Sequence, residues 1–237
     1  MSEFRLTGKE DLSAQVAALP EDMADPAERL RRKIAECVSG SSFNELYKVT
    51  LDHDGLLLVG NVMLDKLEEA GFLLEDFDAL GALTSAAVPA VSAIIAAAAA
   101  RGQSVDGFVL DFVYPSVKGT DIAGKRVILV DAWLSQKSYI QTSSLVTLQQ
   151  GNRLDLDFSV VEHESAKPIA ILSLVGAEEI AKNASSCETA STASDSESGT
   201  EAREGTGKNS VIELSNTVTG ESCKLPFIYA YGENELN

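Results

Sequence analysis

The sequence predicts an α/β protein with a mostly parallel sheet flanked by helices. Short apolar segments alternate with helix-compatible segments over residues 78–182, and this alternation is typical of βα repeats. Residues 127–130 (VILV) are four consecutive aliphatic residues, the pattern of a strand buried on both faces. A chain of 237 residues can bury a full core. We therefore expect one α/β domain with residues 127–130 near the centre of its sheet.

The amino-terminal region divides into an arm and the start of the domain. Residues 1–28 carry several acids and two prolines and predict a loose arm, whereas residues 29–183 are expected to form the domain. Pro26 suits the first turn of a helix that runs through Ile34 to about Gly40, because a proline's missing N–H is not needed there.

A hairpin is predicted next. Residues 46–51 and 56–59 are short strand candidates, and the Asp54-Gly55 pair between them is typical of a tight turn. Asn61 is then a candidate cap for a helix that ends near Gly71. The expected amino-terminal structure is a helix followed by a hairpin.

The middle of the chain is predicted as βα units. Residues 78–83 read as a strand, and a turn over residues 84–89 leads into an Ala-rich helix over residues 90–100. Another strand is expected over residues 107–113, followed by a Gly- and Lys-containing loop to Gly124.

After residues 127–130 a polar turn and a helix are expected, the helix running from about Tyr139 to Gln150. Residues 156–161 and 169–175 are further strand candidates, and residues 178–182 begin a short helix.

The carboxyl-terminal region has two parts. Residues 184–209 contain no Val, Ile, Leu, Met, Phe, Trp or Tyr, so they cannot bury enough apolar surface to offset the entropy of ordering and are predicted to be disordered. Residues 211–218 and 225–231 alternate as strands around Gly220. The segment 210–237 is therefore expected to be a β-hairpin docked on the main domain, because an isolated hairpin is marginally stable.

Charge and hydropathy exclude two classes of partner. The net charge is −17 and the pI is near 4.4, so the surface repels phosphate backbones and nucleic-acid binding is not expected. The apolar stretch at residues 88–100 is too short to span a bilayer. We expect a soluble protein without a membrane partner.

Cysteine usage bears on location and metal binding. The three cysteines, Cys37, Cys187 and Cys223, are far apart and form no CxxC pair, and the chain has two histidines. A zinc site is therefore not expected. A reducing, cytoplasmic location is the simplest interpretation.

Asp131 and the polar residues after it are the candidate site. Asp131 follows the buried strand at its carboxyl end, and the residues that come next are Ser135, Gln136, Lys137 and Ser138. A strand, an acid, a polar turn and a helix amino terminus form a phosphate-facing arrangement in open α/β sheets. An ordinary βα unit with a solvated loop fits the same residues.

These residues also resemble a known family. VILVDAWLSQKS resembles the phosphoribosyl-pyrophosphate signature of type I phosphoribosyltransferases. DALGALTSAAVP resembles the family's pyrophosphate-binding loop, and VDGFVLDF resembles the strand that enters its mobile catalytic loop. LDFSVVEHES and ILSLVGAEEI resemble later strands, the last with the closing helix. The resemblance covers about residues 29–182 and is greatest to orotate phosphoribosyltransferase of the actinobacterial kind.

The resemblance implies a set of site residues and ligands. The resemblance assigns substrate binding to seven residues: Thr84, Ser85, Asp131, Ser135, Gln136, Lys137 and Ser138. Lys118 is the candidate catalytic cation. The implied ligand is phosphoribosyl pyrophosphate or a nucleotide, with Mg²⁺ if the protein is active, and a homodimer is an expected assembly.

The departures from the family fall on the chemistry. The second acid of the signature is Ala132, the loop over residues 135–138 has no glycine, and Asp111-Phe112 stands where the family has Arg-Lys. Trp133 either stacks on a base or fills a pocket. We therefore expect a catalytically degenerate ligand-binding or interaction module. An active orotate phosphoribosyltransferase of pyrimidine biosynthesis with a rearranged site, and an unrelated doubly wound protein, are the alternatives.

Overall fold

The computed structural model describes most of the chain in separate ranges. These ranges are residues 25–39, 46–111, 116–135, 146–149, 153–156, 159–177, 210–216 and 218–236. The predicted helix over residues 178–182 and the predicted disordered segment over residues 184–209 lie outside them, as do Gln136, Lys137 and Ser138.

The described ranges contain five helices, two 3₁₀ turns and nine strands. The helices are α1 (Pro26–Val38), α2 (Tyr47–Thr50), α3 (His53–Glu69), α4 (Val88–Ala100) and α5 (Ser159–His163), with 3₁₀ turns at Ser85–Ala87 and Glu233–Leu236. The strands are β1 (Ala79–Ala82), β2 (Asp106–Asp111), β3 (Ser116–Gly119), β4 (Arg126–Leu134), β5 (Val146–Gln149), β6 (Arg153–Leu156), β7 (Lys167–Gly176), β8 (Ser210–Asn216) and β9 (Ser222–Gly232).

The described strands form one nine-stranded sheet in the order β3-β2-β1-β4-β7-β9-β8-β6-β5. Five neighbouring pairs are parallel: β1–β2, β1–β4, β4–β7, β7–β9 and β6–β8. The pairs β2–β3, β5–β6 and β8–β9 are antiparallel. The predicted α/β class with a mostly parallel sheet is therefore confirmed.

Strand β4 lies inside the sheet, between β1 and β7. Each residue from 127 to 130 is 0% exposed, which confirms the prediction from the apolar run. Burial on both faces requires apolar side chains at successive positions, because neighbouring side chains point to opposite faces of a strand.

Helix α1 begins as predicted. The carboxylate of Asp25 accepts a hydrogen bond from the Glu28 N–H (3.3 Å), and Pro26 occupies the first turn. Leu30 and Ile34 form the buried side of the helix. The helix therefore begins at the proline that the sequence analysis placed in its first turn, and Asp25 caps it.

The predicted hairpin over residues 46–59 is wrong, because both strand candidates are helical. Asp52 caps α3: its carboxylate accepts the Gly55 N–H at 2.8 Å. Gly55 lies in the first helical turn, where an added Cβ would stand 2.2 Å from the carbonyl oxygen of Val49. Asp52 and Gly55 therefore mark the start of a helix and not a turn. Position 55 requires glycine because α3 comes close to α2 there.

Asn61 is inside α3 rather than at its start. Its side chain donates a hydrogen bond to the Leu57 carbonyl oxygen at 2.9 Å, so the prediction that it caps the helix is wrong. The predicted end is confirmed, since α3 stops at Glu69.

The Ala-rich helix and the strands beside it match their predictions. Strand β1, helix α4 and strand β2 fall within or beside the predicted ranges. Gly60 of α3 lies against α4, where a Cβ would stand 2.2 Å from the carbonyl oxygen of Ala93. Strand β3 was missed, because its four residues belong to a Gly- and Lys-containing segment that reads as a loop.

The region after β4 contains two errors of prediction. Residues 146–149 of the predicted helix form strand β5, which pairs with β6. The predicted strand over residues 156–161 is replaced by the end of β6 and by α5. Strand pairing outweighs weak local preference in such short segments: β5 pairs with the neighbouring β6, and β6 pairs with the distant β8. Strand β7 confirms the predicted strand over residues 169–175.

The carboxyl-terminal hairpin is confirmed and is part of the main sheet. Strands β8 and β9 pair antiparallel, and β9 also pairs parallel with β7, with Leu172 opposite Ile228. The hairpin is therefore stabilised by the central strands.

Core residues lie on both faces of the sheet. One cluster joins α1, α3 and α4 to the sheet through residues such as Ile34, Met63 and Ile94. The other covers the opposite face and includes Phe108, Leu129 and Phe227. No described helix is both long enough and apolar enough to cross a membrane.

Candidate active site

The carboxyl ends of β1 and β4 form a topological switch point of the sheet. From β1 the chain passes through α4 to β2 on one side, whereas β4 lies on the other side and is followed outward by β7. Ala82 of β1 is opposite Val130 of β4, and the Leu83 N–H donates to the Val130 carbonyl oxygen at 2.9 Å. Open α/β sheets bind ligands outside such a point.

Asp131 stands at this point and is 3% exposed. Its Oδ1 accepts a hydrogen bond from the Thr84 hydroxyl at 2.9 Å and from the Ala132 N–H at 2.7 Å. Thr84 is the second residue after β1 and has extended backbone, so two adjacent parallel strands bring the acid and its donor to the same place. Hydrogen bonds of this kind offset the cost of burying a carboxylate.

Ser85 and Ser135 lie at the same edge of the sheet. Ser85 is exposed at the start of the 3₁₀ turn that leads into α4, and Ser135 directly follows β4 and is buried. The structure thus brings together Thr84, Ser85, Asp131 and Ser135.

Lys118 lies on strand β3, away from Asp131. The register runs from Val130 through Ala82 and Val109 to Lys118, which is three strand spacings, or roughly 14 Å between β4 and β3. The Lys118 ammonium forms an ion pair with the Asp111 carboxylate on β2. Its side chain is 62% exposed.

The two residues after Asp131, Ala132 and Trp133, pack against the rest of the protein. Ala132, in the position of the signature's second acid, is buried at 1% exposure. Trp133 packs against the core on the helix-covered face. The Trp133 indole N–H donates to Glu233 Oε1 at 2.5 Å. Sequence reasoning missed Glu233, since no local pattern connects residues 100 positions apart.

The described residues contain no metal-binding cluster, and one tyrosine has a strongly shifted pKa. No group of three or more His, Cys, Asp or Glu side chains in the described ranges is arranged to hold a metal ion. Burial raises the pKa of the Tyr231 phenol well above its usual range. Tyr231 donates its hydroxyl hydrogen to the carbonyl oxygen of Ala27 at 2.7 Å, which identifies it as a structural group.

Sequence comparison identifies curated relatives, although no family model matches the chain. The orotate phosphoribosyltransferase of Streptomyces avermitilis is 39% identical over 93 residues, which are 37% of this chain and 48% of the relative. That of Tropheryma whipplei is 35% identical over 97 residues, which are 38% of this chain and 44% of the relative. The chain thus spans about half the length of the curated relatives it matches.

Solved structures show the same fold. Mycobacterium tuberculosis orotate phosphoribosyltransferase, solved in complex with 5-phospho-α-D-ribosyl 1-diphosphate, has a TM-score of 0.53 at 18% identity, over 91% of this chain and 95% of that one. A phosphoribosyltransferase from Corynebacterium diphtheriae has a TM-score of 0.53 at 15% identity, over 89% and 98%. The chain therefore resembles the actinobacterial orotate phosphoribosyltransferases in sequence and shares the type I phosphoribosyltransferase fold.

Proposed function

We propose that this chain is a ligand-binding module on the phosphoribosyltransferase fold that binds phosphoribosyl pyrophosphate or a nucleotide and has lost or changed catalysis. The observation that supports this most is that the acid of the candidate site is held in place, whereas the candidate catalytic cation lies elsewhere. The buried acid and its hydroxyl donor are assembled at the switch point, with Thr84 Oγ1 2.9 Å from Asp131 Oδ1. The candidate cation Lys118 is instead bound to Asp111 on another strand.

The reaction requires cations near the leaving group. Transfer from phosphoribosyl pyrophosphate releases pyrophosphate, and neutralising its developing charge is where most of the acceleration arises. An acid at position 111 adds negative charge there and reduces the net charge that Lys118 presents. Because Asp111 and Phe112 replace two cations of the family, we expect the rate of transfer to fall by several powers of ten.

Binding makes fewer demands on the site. A carboxylate such as Asp131 accepts hydrogen bonds from ribose hydroxyls or contributes a ligand to Mg²⁺, which is held by one or two carboxylates together with the ligand's phosphates. Thr84 orients that carboxylate. The polar residues Ser135, Gln136, Lys137 and Ser138 supply further donors toward a phosphate in this proposal. Ground-state binding is therefore retained better than turnover.

An active orotate phosphoribosyltransferase is the second candidate. It is favoured by Asp131, which occupies the first acid position of the signature, and by relatives of that name at 39% identity. In this case Lys118 and Lys137 neutralise the pyrophosphate and Mg²⁺ takes part in the reaction.

A paired measurement distinguishes the two candidates. Isothermal titration with Mg²⁺ and phosphoribosyl pyrophosphate measures binding, and a coupled assay with orotate measures turnover beside a known active relative. We expect binding without turnover. Turnover within about tenfold of the relative, a difference of about 1.4 kcal/mol in barrier, establishes the second candidate.

The Lys118→Ala variant sharpens that measurement. If the protein is a binding module, this substitution leaves the affinity for phosphoribosyl pyrophosphate within about twofold, since the ammonium is exposed and paired with Asp111. If the protein is an active enzyme, the same substitution reduces turnover by tenfold or more.

A further inference from the structure

Trp133 is the chain's single tryptophan and lies two residues after Asp131 on β4. Its indole N–H donates to Glu233 Oε1 at 2.5 Å, and its ring packs against the helix-side core. Both the polar and the apolar parts of the side chain are therefore engaged by the protein. This placement favours a role in holding β4 over a role in stacking on a ligand.

Glu233 is the first residue of the carboxyl-terminal 3₁₀ turn, and this turn is attached to α1. Arg31 on α1 donates to the Glu235 carbonyl oxygen at 3.1 Å. Just before the turn, the Tyr231 hydroxyl donates to the Ala27 carbonyl oxygen at 2.7 Å. Leu236 is buried at 7% exposure. The turn is thus held from the α1 side by polar and apolar contacts.

The same turn reaches β4 across two strand spacings. Trp133, Val175 and Tyr231 lie opposite one another on β4, β7 and β9, so β4 and β9 are roughly 10 Å apart at this level. The indole bridges that distance to Glu233. The carboxyl-terminal turn therefore connects α1 to the end of β4.

We propose that Trp133 is a positioning residue, through which the carboxyl-terminal turn holds the end of β4 and so the orientation of Asp131. The proposal deepens the proposed function and rests on it, because the ligand at Asp131 is taken to be Mg²⁺-phosphoribosyl pyrophosphate. Release of the turn allows residues 132–135 to move, and the affinity of the site for that ligand falls. Binding and docking of the turn are coupled by the same free energy in both directions.

The test compares Glu233→Ala with Glu233→Gln in the full-length protein. The glutamine side chain keeps an acceptor oxygen for the indole N–H, whereas alanine removes it. Glu164→Ala is the matched control, because Glu164 is exposed at the opposite end of β4, where its carbonyl oxygen accepts the Gly124 N–H at 3.0 Å. Trp133→Phe removes the donor and keeps an aromatic ring.

The first readout needs no ligand. Hydrogen exchange of residues 132–135 is expected to be at least about threefold faster in Glu233→Ala than in Glu164→Ala, because local opening becomes easier when a packing contact is lost. Emission of the single tryptophan is expected to shift to longer wavelength in the same variant. Unchanged exchange and emission overturn the proposal, whether or not the protein binds phosphoribosyl pyrophosphate.

The second readout is the affinity for Mg²⁺-phosphoribosyl pyrophosphate. Glu233→Ala and Trp133→Phe are each expected to weaken it about tenfold, Glu233→Gln less than about threefold, and the Glu233→Ala/Trp133→Phe double variant no more than either single variant, as expected for two residues of one contact. Faster exchange with unchanged affinity overturns the coupling to the site. Failure of the wild-type protein to bind refutes the proposed function, and the exchange measurement then decides the positioning role alone.

Discussion

Acidic residues at the two ends of the central parallel strands differ in burial and in hydrogen-bond partners. At the amino ends, Asp78 is only partly buried, with its side chain 39% exposed, and receives hydrogen bonds from Arg126, through the backbone N–H at 2.8 Å and the guanidinium Nη2 at 3.1 Å. At the carboxyl end, Asp131 is buried and receives its described hydrogen bonds from the Thr84 hydroxyl and the Ala132 N–H. The first arrangement joins β1 to β4, whereas the second holds a carboxylate in place at the ligand-binding edge of an α/β sheet. Position next to a strand therefore does not determine the role of an acid, but its burial and its partners do.

The largest effect that separates the two ends is expected from Asp131→Ala. Removal of the carboxylate is expected to weaken Mg²⁺-phosphoribosyl pyrophosphate binding tenfold or more, about 1.4 kcal/mol, as measured by isothermal titration. Asp78→Ala is the control and is expected to leave the affinity within about twofold. Equal losses in the two variants contradict the assignment of the site to the carboxyl end.

A smaller effect is expected from Thr84→Val, which keeps the shape of the side chain and removes the hydroxyl donor to Asp131. A single hydrogen bond to a charged group contributes about 1.5–3 kcal/mol, of which part is recovered by local rearrangement, so affinity is expected to fall about three- to tenfold. Thr84→Ser restores the donor and is expected to recover most of the loss. A serine variant as weak as the valine variant shows that the methyl group matters instead.

The smallest effect is expected from Asp78→Asn, and it is an effect on stability. An exposed ion pair is screened by solvent and stabilises little, so the Tm is expected to fall by less than about 4 °C. Hydrogen bonds from the Arg126 side chain, and then from its backbone, lower the pKa of Asp78 below its usual 3.8.

The pH dependence of that difference follows from the sign of the pKa shift. A carboxylate with a lowered pKa stabilises the folded protein above the usual pKa, and the stabilisation is lost as the pH falls through the folded value. The difference in Tm between the wild type and Asp78→Asn is expected to be constant from about pH 7 to about pH 5 and to shrink as the pH falls below 3.8 toward the lowered pKa of folded Asp78. A difference that grows at low pH contradicts the role of the Asp78–Arg126 pair.

Local sequence predicted the features that depend only on residues close together in the chain. The apolar run at residues 127–130 determined a doubly buried strand, since only burial on both faces accommodates four successive aliphatic side chains. Pro26 predicted the first turn of α1. The position of Asp131 after that strand made it a candidate site residue, because the carboxyl end of a buried strand is where parallel sheets present side chains to ligands. Its burial and its hydrogen bond from Thr84 come from the structure.

Packing and strand pairing decided the features that the local pattern left ambiguous. Asp-Gly at positions 54 and 55 is compatible with a turn, but packing of Gly55 against α2 makes it the first turn of a helix. Residues 146–149 are compatible with a helix, but pairing with β6 makes them a strand.

The candidate site shows the same division between local pattern and tertiary contact. Asp131 was recognisable from its neighbours in the chain, whereas its hydroxyl donor Thr84 is 47 positions away and the Glu233 partner of Trp133 is 100 positions away. The sequence by itself determined the central strand, the first helix and the acid at the tip of that strand. Only the tertiary structure decided which side chains hold that acid in place, because a hydrogen bond depends on the separation of two atoms in space and not on their separation along the chain.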